Sequence, residues 1–237
     1  MTSSSQDASY AAVVLGGTGA VGSALVRELL ASARCTRVIA IVRRRTDALA
    51  SLPNAAAKLS MHEVSMDELA DATRDVLASS PRASAAFCTL GVGQPRKVSP
   101  EEHWRVDVEY AGAFAGAARA AGAEQFTLLS SVSADPMSRS RYLRVKGAAE
   151  AAIRAEDFPR VSLFRPSLLV TPEIRYGLQD RVSQFVFPKI SRFLPSRYRE
   201  ITVAELGRAM RINAERRTSA PVQVLHHDDF RALLRDG

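Results

Sequence analysis

Tyr10 to Leu15 (YAAVVL) is an uninterrupted apolar run, and the heptapeptide GGTGAVG follows it directly. Beyond that turn Val21, Leu25, Val26, Leu29 and Leu30 recur at helical spacing between Ala20 and Ala33. A short apolar strand, a tight glycine turn and an amphipathic helix in this order leave few folds open, because the strand must be covered on both faces. Glycines at Gly16, Gly19 and Gly22 let the chain turn sharply, bring backbone amides to an anion and pack the new helix closely on the sheet. The amino end of that helix favours negative charge, and a pyrophosphate is the group that such a turn suits. The segment Gly16, Gly17, Thr18, Gly19, Ala20, Val21 and Gly22 is therefore expected to bind a dinucleotide.

The alternation continues along the chain. Arg37 to Val42, Leu59 to Val64 and Ala83 to Leu90 read as further strands, with a helix over Met66 to Ala78. Ser99-Pro100-Glu101-Glu102 opens a long helix that runs to about Ala121, before Gly122. Gln125 to Ser130 is the fifth strand, Arg141 to Glu156 a helix, and Val161 to Arg165 a sixth strand closed by Pro166. The pattern predicts an α/β fold, a doubly wound, mostly parallel sheet of the Rossmann type. Residues 10–237 are expected to form one domain behind a polar tail, residues 1–9. A proline-punctuated stretch, 171–200, interrupts the rhythm before a helix from about Val203 to Arg217, and it is the expected substrate-side elaboration.

The end of the second strand predicts which cofactor is held. An Asp or Glu there accepts hydrogen bonds from an adenosine ribose and repels a 2′-phosphate. This chain has Arg43, Arg44 and Arg45 instead, whose guanidinium groups suit a phosphate dianion, so NADPH is the expected cofactor. Asp47 lies farther past the strand end. Val64, Leu90 and Gly91 stand at other strand ends, where adenine and the ribose-pyrophosphate side would pass.

Charge and composition narrow the class. The net charge of +7 arises from 28 arginines against 4 lysines, and a cofactor phosphate uses part of that excess. No nucleic-acid motif accompanies it, so no nucleic-acid partner is expected. Cys35 and Cys88 are too few for a disulfide framework and fit a reducing, cytoplasmic setting. The opening residues lack a signal-peptide pattern, and no apolar run reaches the roughly 20 residues of a bilayer span. Phe185 to Arg199 mixes aromatic and basic residues, but Pro188 and Pro195 interrupt any amphipathic helix, so a substrate lid is expected rather than stable membrane association. His226-His227-Asp228-Asp229 resembles a metal cluster in composition only, since adjacent helical residues point apart; no metal is expected.

Ser130 and Ser131 end the fifth strand, and Tyr142-Leu-Arg-Val-Lys146 follows on a helix, which puts Tyr142 and Lys146 on one face. Five tyrosines and four lysines predict only ~0.1 such spacings by chance, so the match carries information. An ammonium beside a phenol favours the phenolate, and Tyr142 can then exchange a proton with a carbonyl oxygen held by Ser131, while the Lys146 ammonium is also expected to hydrogen-bond the cofactor ribose. Ser130 is the alternative to Ser131.

At these residues the sequence resembles the short-chain dehydrogenase/reductase superfamily and, within it, the atypical, extended members. The resemblance rests on GGTGAVG, Ile41 to Arg45, Phe87 to Gly91, Val106 to Tyr110, Leu128 to Ser131, Tyr142 to Glu150, Phe164 to Ser167 and Val203 to Met210. It implies NADPH binding, a catalytic set of Ser131, Tyr142 and Lys146, and a stretch containing Pro166 and Leu168 along the nicotinamide. Asp107 stands where many relatives carry an asparagine, and Ser167 where a glycine is common. Two functions follow as expectations: an NADPH-dependent oxidoreductase acting on a small carbonyl-type molecule, or an NADPH-binding regulator read by a protein partner.

Overall fold

The first strand, β1 (Tyr10–Leu15), has all its residues buried, and alternate side chains serve opposite faces. Ala12 and Val14 belong to one apolar cluster, Val13 and Leu15 to the other. An uninterrupted apolar run results because helices cover both faces. The computed structural model describes residues 9–80, 83–171, 195–216 and 218–237. Most of the expected lid segment, 172–194, lies outside the described residues.

After β1 come α1 (Ala20–Ala31), β2 (Cys35–Val42), two short helices α2 (Asp47–Ala50) and α3 (Ala55–Lys58), β3 (Leu59–Glu63) and α4 (Leu69–Ala78). The middle of the chain supplies β4 (Ala85–Cys88), α5 (Pro100–Trp104), α6 (Tyr110–Ala120), β5 (Gln125–Leu129), α7 (Arg141–Arg154) and β6 (Arg160–Phe164). The described remainder contains β7 (Leu169–Val170), β8 (Ile201–Thr202), α8 (Val203–Glu215), β9 (Val222–Leu225) and α9 (His227–Asp236).

Seven strands form one sheet in the order β3-β2-β1-β4-β5-β6-β9, and every neighbouring pair is parallel. The chain moves outward from β1 to β3 and then crosses to β4 on the other side. This reversal opens a crevice at the carboxyl ends of β1 and β4, the place where such sheets bind ligands. One face is covered by α1, α8 and α9 through Leu25, Leu29, Leu206, Met210 and Phe230. The opposite face is covered by α4, α6 and α7 around Phe114, Phe126 and Ile153.

The structure departs from the sequence expectation in several places, and the short helices α2 and α3 are among the elements not expected. The long helix from Ser99 is capped as expected, its Ser99 hydroxyl accepting from the Glu102 amide, but a π turn at Arg105–Glu109 separates α5 from α6. β9 was not expected as a strand, because Gln223 sits between half-exposed valines on a sheet edge and no apolar run marks it. The small parallel pair β7–β8 was not expected either, being only two residues on each side. Several element ends also shift, as helix and strand termini generally do.

Candidate functional site

The glycine turn separates what the fold needs from what a ligand needs. Gly16 has φ +85°, and a Cβ there would fall 2.4 Å from the Leu90 backbone nitrogen. A Cβ on Gly22 would lie 2.1 Å from the Gly16 carbonyl oxygen. Gly19 is different: its φ of −73° and ψ of 171° suit any residue, and a Cβ there would meet the Gly16 oxygen at 3.3 Å. Packing therefore explains Gly16 and Gly22, while the bare backbone at Gly19 leaves room for an outside group to approach. The first turn of α1 carries no acidic residue, and its N-cap Gly19 has no side chain to cap it, so its positive end suits an anion. These features fit the pyrophosphate of a dinucleotide. Gly17 and Val21 are buried beneath the turn, Ala20 is half-buried, and Thr18 is exposed beside Gly19.

Register aligns the other expected contacts with this turn. Leu15 pairs with Ile41 and with Cys88, so the residues after β1, β2 and β4 emerge side by side. Arg43 and Arg44 are exposed just past β2. Val64 is buried in the apolar core, and its amide donates to the Val42 carbonyl at 2.9 Å. Leu90 is half-buried and Gly91 exposed. Thr89 was not singled out from sequence; its hydroxyl donates to the Gly16 carbonyl at 3.1 Å and ties the two loops together.

Tyr142 and Lys146 share one face of α7. Gly147 explains how the loop after β5 reaches them: a Cβ there would lie 2.2 Å from the Pro136 nitrogen, so only glycine allows this approach. The Asp135 amide donates to the Leu143 carbonyl at 3.1 Å and fixes the docking. Of the two serines on this loop, Ser130 is committed elsewhere. Its hydroxyl donates to Glu150 at 2.5 Å, and Glu150 takes two hydrogen bonds from Arg165 at 2.8 and 2.6 Å. Ser131 is buried, with a long 3.4 Å contact from Oγ to the Val132 carbonyl. Beyond β6, Pro166 is buried and accepts from the Val132 amide at 2.9 Å, while the Leu168 carbonyl accepts from Ile201 at 3.1 Å.

Lys146 is buried, and its Nζ lies 2.6 Å from Asp107 Oδ1. Asp107 sits in the π turn, a local widening that often marks functional positions, and its Oδ2 accepts from the Val92 amide at 2.9 Å. Burial works against the Lys146 ammonium, but Asp107, aided by Tyr142, outweighs it and holds the lysine above its ordinary pKa. Gly91 lies close by; a Cβ there would be 3.1 Å from both Asp107 and Lys146.

His103 was missed from sequence, although its spacing four residues before Asp107 was a usable signal. It is fully buried and stacks on Tyr142 with ring centroids 6.1 Å apart and planes 12° apart. Its Nε2 is 3.8 Å from Asp107 Oδ2, and neither ring nitrogen has a hydrogen-bond partner among the described residues. Leaving buried polar groups unmatched in this way costs about 1–3 kcal/mol each. His226 and Asp229 instead cap α9: the Asp229 carboxylate accepts from the His226 amide at 2.8 Å.

A doubly wound sheet with a glycine turn at its switch point and a Tyr-x-x-x-Lys helix beside it defines an NAD(P)H-binding protein of the Rossmann type. Residues 16–193 match the NAD(P)H-binding family model, and the chain belongs to that family. It is 29% identical over 226 residues to Protein HTATIP2 of Rattus norvegicus, covering 94% of this chain and 88% of that protein. It is 30% identical over 172 residues to mitochondrial Protein fmp52 of Emericella nidulans, covering 73% and 72% of the two chains. A short-chain dehydrogenase/reductase from Serratia marcescens shares the fold at TM-score 0.69 and 16% identity, covering 94% of this chain and 98% of the other.

Proposed function

We propose that the chain is an NADPH-dependent reductase of a small carbonyl substrate, folded as one domain over residues 10–237. The observation that carries this reading is the docking of the Ser131 loop onto α7, whose one face bears Tyr142 and the buried Lys146. In this account Gly16 to Gly22 hold the pyrophosphate, Arg43 and Arg44 pair with the 2′-phosphate, and Val64, Leu90 and Gly91 flank the adenosine side. Pro166 and Leu168 line the nicotinamide side. NADPH supplies the hydride when bound. Ser131 donates a hydrogen bond to the substrate oxygen and orients the carbonyl. Tyr142 gives its proton to the same oxygen, a step that typically contributes 10²- to 10⁴-fold, and Lys146 stabilises the phenolate left behind and hydrogen-bonds the cofactor ribose. Specificity is assigned to segment 171–200.

A second reading has one observation in its favour: Asp107 already engages Lys146 at 2.6 Å. In that reading the chain binds NADPH without turnover and a protein partner senses the bound state. NADPH oxidation against a panel of aldehydes, ketones and quinones decides between them. The reductase reading expects turnover above the no-substrate rate for at least one member. No turnover, together with a partner whose binding changes with NADPH, would favour the sensor.

Cys35 and Cys88 are buried free thiols, which suits a reducing compartment such as the cytoplasm, and burial pushes Cys88 up to about 12 and keeps it unreactive. The fungal relatives carry the word mitochondrial in their names. Among the described residues no helix is long and apolar enough to cross a membrane. Neither nucleic acid nor a membrane is proposed as a partner.

A further inference from the structure

The reductase reading gives Tyr142 and Lys146 work but leaves His103 unused. We propose that His103 is a positioning residue for Lys146: it is the second partner of Asp107 and takes up that carboxylate when Lys146 turns to Tyr142 and the cofactor. This rests on the reductase site assigned above.

The geometry brackets Asp107 from two sides. Oδ1 faces Lys146 Nζ at 2.6 Å, and Oδ2 faces His103 Nε2 at 3.8 Å while accepting from the Val92 amide. A phenylalanine in place of His103 would fill the same buried space and keep the stack on Tyr142. Two unbonded ring nitrogens in a fully buried side chain therefore serve something other than packing. A small movement of the ring brings one N–H to Asp107, and a proton on the other nitrogen makes that bond charge-assisted.

The sign of the pH dependence follows from the charges. The groups facing His103 are Asp107 from the adjoining π turn and Lys146, Arg141 and Tyr142 from α7. Burial, with Lys146 and Arg141, holds the His103 pKa below its ordinary value, and Asp107 opposes them. Proton uptake on His103 draws Asp107 away from Lys146 and frees the ammonium. Cofactor affinity should thus rise as pH falls through the His103 midpoint, and return to its lower level above it.

The test measures NADPH affinity by calorimetry for wild type, His103→Phe, Asp107→Asn and the double variant at two pH values, one below and one above the His103 midpoint that NMR gives for wild type. Thermal melts check that each is folded. Titration of the cofactor's own 2′-phosphate is common to all four and cancels in ratios. The wild-type to His103→Phe affinity ratio should rise about fivefold or more on going to the lower pH, and stay flat in the Asp107→Asn background. A ratio that ignores pH, or one that shifts equally without the Asp107 charge, would overturn the proposal. A cofactor-free measurement stands beside it: the His103 ring titration by NMR, assigned by its loss in His103→Phe. Its midpoint should be lower in Asp107→Asn than in wild type, and equal midpoints would overturn the coupling. Failure of wild type to bind NADPH would sink the reductase reading, and the NMR comparison would still decide this one.

Discussion

A side chain at Gly19 would meet the Gly16 carbonyl oxygen at 3.3 Å, in a backbone conformation open to any residue. Gly19→Val is expected to keep the thermal melt within a few degrees of wild type while abolishing cofactor binding, because the new side chain occupies the approach to the helix end. Binding retained in the folded variant, measured by calorimetry, would reduce the glycine loop to an ordinary turn. Arg43 is exposed just past β2, and in the proposed function it pairs with the 2′-phosphate. A charge-assisted hydrogen bond contributes about 1.5–3 kcal/mol, so wild type should prefer NADPH over NADH by roughly tenfold or more, and Arg43→Asp should invert the preference. Equal calorimetric affinities of wild type for the two cofactors would remove the arginines from the site. Both residues were singled out in the sequence, Gly19 because it fits the glycine spacing of the strand-turn-helix unit and Arg43 because it departs from the acid expected after the second strand. His103 was not, since its meaning depends on Tyr142 stacking against it from another helix.

Single elements were legible where burial is two-sided. β1 reads as an apolar run because both its faces are covered, and its limits agree with the expectation at both ends. β9 was illegible because its valines stay half-exposed on an edge, and the π turn because nothing in Arg105 to Glu109 breaks helical periodicity. Glu150 illustrates the same limit: its carboxylate joins α7 to Ser130 at the end of β5 and Arg165 at the end of β6, a tie that only the fold assembles. Its side chain is 3% exposed, so Glu150→Ala would strand the Arg165 charge and the Ser130 hydroxyl. Breaking a buried pair costs about 3 kcal/mol at the lower end, or roughly 6–12 °C in Tm for a chain of this size. A melt within 2 °C of wild type, by calorimetry at about neutral pH, would show the tie to be dispensable.

At the scale of the whole molecule, sheet order decides where function can sit. The reversal at β1 brings the ends of β1, β2 and β4 together on one side, and the loop after β5 with α7 closes the same end. The binding half of the account belongs to the family; the chemical half rests on Tyr142, whose hydroxyl a reductase needs and a sensor can lose. The most direct measurement compares steady-state NADPH oxidation and NADPH affinity for wild type and Tyr142→Phe, using a substrate that wild type turns over. The phenylalanine keeps the ring that stacks on His103 and removes the proton donor. The account predicts a fall in kcat of about 10²-fold or more with affinity within a few-fold, because general-acid transfer is lost while the cofactor contacts remain. Turnover by Tyr142→Phe equal to wild type would contradict it.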